Sequence, residues 1–197
     1  MILVSHRVNT LKELVKTESK YGVEIDIRDN GSKLIVVHDP FKNGVSLNQY
    51  LKKYNHSLLI ANIKSERIED KVISIFKKFK IKNYFFLDSS FPKIVELTRK
   101  KFKKIAVRAS CYEGYEAAKK LKNKVDWIWL DTFLGIPSIS NFRLLKKLNY
   151  KICLVSPELH NKNLKLRKQI IKKLLKFKLL DAVCTKKVFF HKWLIKP

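Results

Sequence analysis

Nine short runs of β-formers recur along the chain with helix-period segments between them, and that alternation limits the fold more than any other feature. The runs are Ile2–Ser5, Val23–Arg28, Leu34–His38, Leu58–Ile63, Tyr84–Leu87, Lys104–Arg108, Trp127–Leu130, Ile152–Val155 and Ala182–Cys184. Helical patterns are clearest at Asn9–Lys20, Glu66–Phe79, Pro92–Lys101, Glu113–Leu121, Ser138–Leu148 and Asn163–Leu179. The link Asp29-Asn30-Gly31-Ser32-Lys33 is too short for a crossover between parallel strands, so the second and third runs must form a hairpin. Setting the hairpin partner aside leaves eight strands in parallel alternation. This pattern predicts an α/β fold: a compact (β/α)8 TIM barrel with a β-hairpin after the second strand, shorter than the roughly 250 residues common for that architecture. The missing length implies trimmed loops and an open or shallow pocket. No Pro/Gly/Ser-rich linker interrupts residues 1–197, so a single domain is expected.

Chemistry gathers at the ends of the first three runs: Ser5-His6-Arg7, Glu24-Ile25-Asp26, and His38-Asp39-Pro40. Residues two apart in a strand share a face, so Glu24 and Asp26 point the same way. Two carboxylates on one face repel unless a cation sits between them, and a hard divalent ion such as Mg²⁺ or Ca²⁺, satisfied by oxygen ligands, is the usual solution. Two imidazoles beside such an ion could serve as general base and general acid, because histidine titrates near the operating pH. The set suggests metal-assisted acid–base chemistry on a phosphate ester. The plainer reading of the carboxylates is a solvated face of an edge strand, and it weakens when the three segments are taken together.

The hairpin supplies a geometric test. A three-residue loop Asn30-Gly31-Ser32 puts position 38 opposite 24 and position 36 opposite 26, bringing His38 to the carboxylate face. A two-residue Asn-Gly turn puts it on the other face. The expectation is the three-residue loop, and a His38 side chain facing away from Glu24 would contradict the catalytic reading.

The order strand-His-Arg, strand-Glu-x-Asp, short turn, strand-Val-Val-x-His-Asp resembles the glycerophosphodiester phosphodiesterases, relatives of the phosphatidylinositol phosphodiesterases. The match of short motifs covers about the first 65 residues. The resemblance implies that His6 and His38 are the acid–base pair, that Glu24 and Asp26 bind the metal, and that Arg7 holds the phosphate. A fourth segment of that family, an apolar strand ending Glu-x-Lys, is matched by Leu59-Ile60-Ala61-Asn62-Ile63-Lys64. Here Lys64 fits as a phosphate contact, whereas Asn62 stands where the family places a third carboxylate. An amide can still offer its carbonyl oxygen to a cation, but removing a negative charge lowers affinity. The family's His-Arg-Gly is His6-Arg7-Val8 in this chain.

Polar residues past the ends of other strands should join the same mouth of a barrel. They are Asp88, Arg108, Asp131 and Glu158. Arg108 could pair with an acidic group of the substrate, and Glu158 could act as an extra metal ligand or a substrate contact. Asp88 and Asp131 read equally well as helix N-caps. His160 reads as a loop residue, while His56 and His191 read as solvated. Trp127 and Trp129 alternate on one strand and are expected to pack between barrel and helices.

A net charge of +26 is enough to recruit any polyanion. The competing hypothesis is therefore a non-catalytic barrel that binds anions or nucleic acid. Against it, the lysines are spread over nearly every helix face instead of forming one stripe, which fits a general compositional bias or attraction of an anionic substrate better. That substrate would be a small phosphodiester or a glycerol-phosphate polymer. Cys111, Cys153 and Cys184 show no metal-ligand spacing and read as buried reduced thiols. Neither a leader pattern nor an apolar run near 20 residues is present, so a cytoplasmic protein is expected. In the last helix Leu166, Ile170, Leu174 and Phe177 form an apolar stripe among lysines, read as a face packed on the sheet in preference to one lying on a membrane.

Overall fold

The computed structural model describes residues 1–160 and 168–195, which divide into two compact units. One unit is Ser5–Lys100; the other is Met1–Val4 with Lys101–Pro197.

The unit Ser5–Lys100 carries β2 (Gly22–Asn30), β3 (Lys33–Val36), β4 (Val45–Ser46), β5 (Leu59–Ile63) and β6 (Tyr84–Leu87), in the sheet order β4-β3-β2-β5-β6. Its helices are α1 (Leu11–Lys16), α2 (Leu47–Leu51), α3 (Glu69–Lys78) and α4 (Phe91–Arg99). Strands β2, β5 and β6 pair in parallel, with Glu24 beside Ile60 and Asp26 beside Asn62. Their alternate residues Ile25, Ile27, Ala61, Ile63 and Phe86 are buried and take the apolar side. Helix α1 begins with a capping box, in which Thr10 accepts from the Glu13 N–H and the Glu13 carboxylate accepts from the Thr10 N–H. Helix α3 buries Val72 and Phe76, one turn apart, and the Phe76 ring meets those of Tyr84 and Phe86. The short elements β4 and α2 were not anticipated by periodicity, since neither is long enough to show one.

The hairpin forms as expected, but in a different register. Ile27 pairs with Val36 and Asn30 with Lys33, which leaves a two-residue turn, Gly31-Ser32. Only Gly31 has a positive φ, at 59°, as a turn with glycine at its first central position requires. The three-residue reading would need a further residue off the ladder, whereas this turn confines the left-handed conformation to glycine. Extending the ladder brings Val37, whose N–H donates to the Asp26 carbonyl, to the carboxylate row, and His38 to the position opposite Ile25. His38 therefore does not reach the Glu24 face by strand pairing.

Gly44 closes the loop after β3 against the strand it left. A Cβ there would stand 2.5 Å from the Val36 carbonyl oxygen. Gly44→Ala is expected to cost about 2 kcal/mol, read as a lower midpoint in urea unfolding, because the clash is with backbone that cannot swing aside.

The second unit carries β1 (Ile2–Ser5), β7 (Ala106–Ala109), β8 (Trp127–Leu130), β9 (Lys151–Val155) and β10 (Ala182–Thr185), ordered β1-β10-β9-β8-β7. The pairs β7–β8, β8–β9 and β9–β10 are all parallel. Helices α5 (Glu116–Lys120), α6 (Ile139–Lys147) and the described α7 (Lys168–Lys176) accompany them. In α7 the buried residues are Ile171 and Leu174; Phe177 is exposed, so the packed face is rotated from the stripe read in the sequence. Leu166 lies outside the described residues. Cys153 and Cys184 are buried thiols and Cys111 is an exposed one.

Candidate active site

The segment that follows β1 turns back over the end of β2. Arg7 adopts a left-handed conformation, φ 54°, which points its backbone N–H at Glu24 Oε2, 2.7 Å away. Val8 then donates its N–H to the Glu24 carbonyl and is buried, while its own carbonyl accepts from the Tyr50 hydroxyl. The strained residue is thus the arginine, and the absence of glycine at position 8 has a packing explanation: Val8 fills core.

Glu24 is 1% exposed and Asp26 0%, side by side on one row. Glu24 Oε1 accepts from Asn62 Nδ2 at 2.9 Å, and His6 Nε2 stands 4.0 Å from Glu24 Oε2. Asp26 is clamped by Asn9, whose Nδ2 donates to Asp26 Oδ2 at 2.7 Å and whose Oδ1 accepts the Asp26 N–H at 2.9 Å. Lys64 bridges outward, 3.7 Å from Asp26 Oδ1 and 3.2 Å from Asp88 Oδ2. Asn9 was missed in the sequence, where Asn9-Thr10 looks like a helix start and nothing signals a partner 17 residues away. Asp88 pairs with Lys64, and the N-cap of α4 is Ser90.

Burial pushes the Glu24 carboxyl up to about 7, and the neighbouring Asp26 charge adds to it; donors from Asn62 and Arg7 and the Lys64 charge pull the other way. A carboxyl with this raised value favours folding while protonated and loses that contribution as pH rises from its ordinary 4.5 through 7. The chelator-treated protein is therefore expected to lose about 3 kcal/mol of stability between pH 4.5 and 8. Thermal melts across that range check this, and a divalent ion should reduce the loss.

The donors at this site fit a hard cation. Asp26 Oδ1 and Asn62 Oδ1 are buried oxygens that accept no hydrogen bond, and they sit next to the Glu24 carboxylate. Among the described residues no cluster of three or more His, Cys, Asp or Glu is arranged for a metal, so the third oxygen here is the Asn62 amide. Glu158 lies in the other unit, where both its oxygens accept at 2.6 Å, from the Ser156 and Thr185 hydroxyls.

His38 follows the end of β3 by two residues. Its Nδ1 is 2.7 Å from Asp39 Oδ1, and its carbonyl accepts from Arg28 Nε. The Asp39 carboxyl is held below its usual range, chiefly by that hydrogen bond, with Lys42 and Arg7 adding their charge. Arg7, His38 and Asp39 are thus electrostatic neighbours, although strand register does not align His38 with Glu24.

Arg108 and Asp131 pair within the second unit. Arg108 Nη1 donates to Asp131 Oδ2 at 2.5 Å; Trp129 Nε1 donates to Oδ1 at 3.2 Å, and His160 Nε2 is 3.0 Å from Oδ1. Asp131 is buried, and that burial raises its carboxyl despite the Arg108 and His160 charges. It is a buried hub and not a helix cap. His160 is a member of this hub, its ring tilted at 45° against Phe133 with centroids 4.2 Å apart, and Trp129 shares its row with Arg108 and Cys153. His56 is also corrected: it is buried, with Nε2 2.8 Å from the Thr17 carbonyl, whereas His191 is exposed.

No family model matches the sequence, and no curated protein matches it. Solved structures do. A glycerophosphodiester phosphodiesterase from Agrobacterium tumefaciens superposes with a TM-score of 0.63 at 13% identity, over 94% of this chain and 96% of that one. One from Parabacteroides distasonis gives 0.66 at 14%, over 97% and 94%. An Oleispira antarctica phosphodiesterase in complex with the product sn-glycerol-3-phosphate gives 0.66 at 13%, over 93% and 92%. The chain has the fold of these proteins, the (β/α)8 TIM-barrel class read from the strand and helix pattern.

Proposed function

We propose that this chain is a metal-dependent phosphodiesterase of the glycerophosphodiester type, a single-domain phosphoric diester hydrolase. One observation carries the reading: a buried carboxylate row, Glu24 and Asp26, next to two buried oxygens without donors, with His6 and Lys64 beside it, on the fold of glycerophosphodiester phosphodiesterases. The substrate class is a small glycerophosphodiester or a glycerol-phosphate-containing polymer, in keeping with the product bound by the Oleispira protein.

Glu24, Asp26 and the Asn62 carbonyl would hold Mg²⁺ or Ca²⁺, which when bound polarises the phosphate. Arg7 and Lys64 neutralise phosphate charge as it builds toward the transition state. Lys64 is kept in place by Asp26 and Asp88. His6, against Glu24, and His38, oriented through Nδ1 by Asp39, divide proton removal from the nucleophile and proton delivery to the leaving alkoxide. Arg108 is spent on Asp131, so its part in substrate binding would require sharing that carboxylate.

The test is turnover of glycerophosphodiesters with Mg²⁺, Ca²⁺ or a chelator, beside His6→Ala and His38→Ala. Each substitution is expected to lower kcat by about 10²- to 10⁴-fold, the range for a lost general acid or base. Turnover that survives both would refute the assigned roles. Binding of a phosphodiester without turnover by the wild type would instead favour the non-catalytic anion-binding barrel, which the amide at position 62 already makes conceivable.

A further inference from the structure

The loop that follows His38 protrudes from the protein. Every residue from Asp39 to Gly44 is exposed, and at its tip Phe41 has 105% of its reference accessible area. Phe41 also has φ 58°, a left-handed conformation that costs a bulky residue about 1 kcal/mol or more. The base of the loop is fixed on both sides. Val36 pairs with Val45 across it, and Gly44 approaches the Val36 carbonyl too closely for any side chain. A fixed base, a strained tip and a fully hydrated aromatic make a projection that the fold itself does not use.

We propose that this loop is a docking finger that seats Phe41 in the interfacial region of an anionic phospholipid bilayer. Charge complementarity selects the partner: Lys42 adjoins Phe41, exposed Arg7 neighbours Asp39 electrostatically, and the chain carries +26. Each lysine or arginine near an anionic leaflet adds attraction, and an aromatic ring supplies the apolar anchor such attraction lacks. A nucleic-acid strand fits less well. Stacking platforms place aromatics along a concave basic groove, whereas Phe41 is a single ring on a convex tip, and only seven of the 43 basic residues are arginine. If the phosphodiesterase reading holds, on which this last step rests, docking brings the His38 end of the site to phosphodiesters borne on a lipid surface.

The test measures binding, not turnover, so an inactive wild type would defeat the proposed activity and leave this result readable on its own. The purified chain is sedimented with phosphatidylcholine vesicles and with vesicles containing about 30% phosphatidylglycerol. Wild type is expected on the anionic vesicles only, and less so in high salt. Phe41→Gly is expected to weaken that binding about tenfold while the melting temperature holds or rises, because glycine adopts the left-handed conformation freely. Phe41→Trp should keep the binding and shift its emission to the blue on anionic vesicles, a signal the native Trp127, Trp129 and Trp193 do not mask because they are already buried. Vesicle binding by Phe41→Gly equal to wild type would overturn the proposal, as would unshifted Phe41→Trp emission on bound vesicles. Loss of single-stranded DNA binding in Phe41→Gly with vesicle binding intact would also overturn it, assigning the tip to base stacking.

Discussion

Glu24→Gln is expected to weaken divalent-cation binding by about a hundredfold and to remove most of the dependence of stability on pH between 4.5 and 8. The first effect follows from ligand charge. With an amide already at position 62, Glu24 and Asp26 would supply the negative charge that offsets the cost of dehydrating the ion, and hard-cation affinity tracks that charge. The second follows from burial: the group that takes up a proton on folding, with its carboxyl raised to about 7, is no longer ionisable. Glutamine is close in shape and can still accept from either Asn62 Nδ2 or the Arg7 N–H, though not both through oxygen. Isothermal titration with Mg²⁺ and Ca²⁺, paired with thermal melts in chelator, reads both effects. Unchanged affinity together with a flat profile would mean that Glu24 is a buried acid with no part in cation binding.

Asp131→Ala is expected to destabilise the protein by about 2 kcal/mol, because the carboxylate is buried while its arginine partner is partly exposed. Arg108, His160 and the Trp129 indole all converge on this one carboxylate. Its removal takes the carboxylate from a guanidinium whose side chain is 35% exposed, and from two ring nitrogens less open to water. Asp131→Asn retains an oxygen for one donor and should fall between alanine and wild type. Urea unfolding measures the difference, and a loss below about 1 kcal/mol would show that the cluster is solvated in practice.

The strands were legible because each buried strand is a short run of β-branched or aromatic residues bounded by polar ones; Tyr84–Leu87 and Trp127–Leu130 fall where the sequence puts them. Helix ends were less so, since capping competes with periodicity: α1 stops at Lys16, short of the apolar pattern's end. The carboxylate row Glu24 and Asp26 was readable from strand alternation alone. Several side-chain roles depended on partners far along the chain. Asp88 and Asp131 look like caps because Ser and Thr follow them, while their actual partners, Lys64 and Arg108, lie 24 and 23 residues away. His56 looks solvated until Thr17 supplies a carbonyl 39 residues off. The hairpin register turned on a single residue, since Gly31 can occupy either a two- or a three-residue turn and only the strand pairing decides between them.

Phosphodiester cleavage is the role proposed for the Glu24 and Asp26 row. Phosphorus NMR of sn-glycero-3-phosphocholine incubated with the purified wild type and Mg²⁺ or Ca²⁺ tests it most directly. The expected result is conversion of the diester signal to that of a phosphomonoester, abolished by chelator and by Asp26→Asn. A diester signal that persists with folded, cation-bound protein, across glycerophosphodiester head groups and glycerol-phosphate polymers alike, would contradict it.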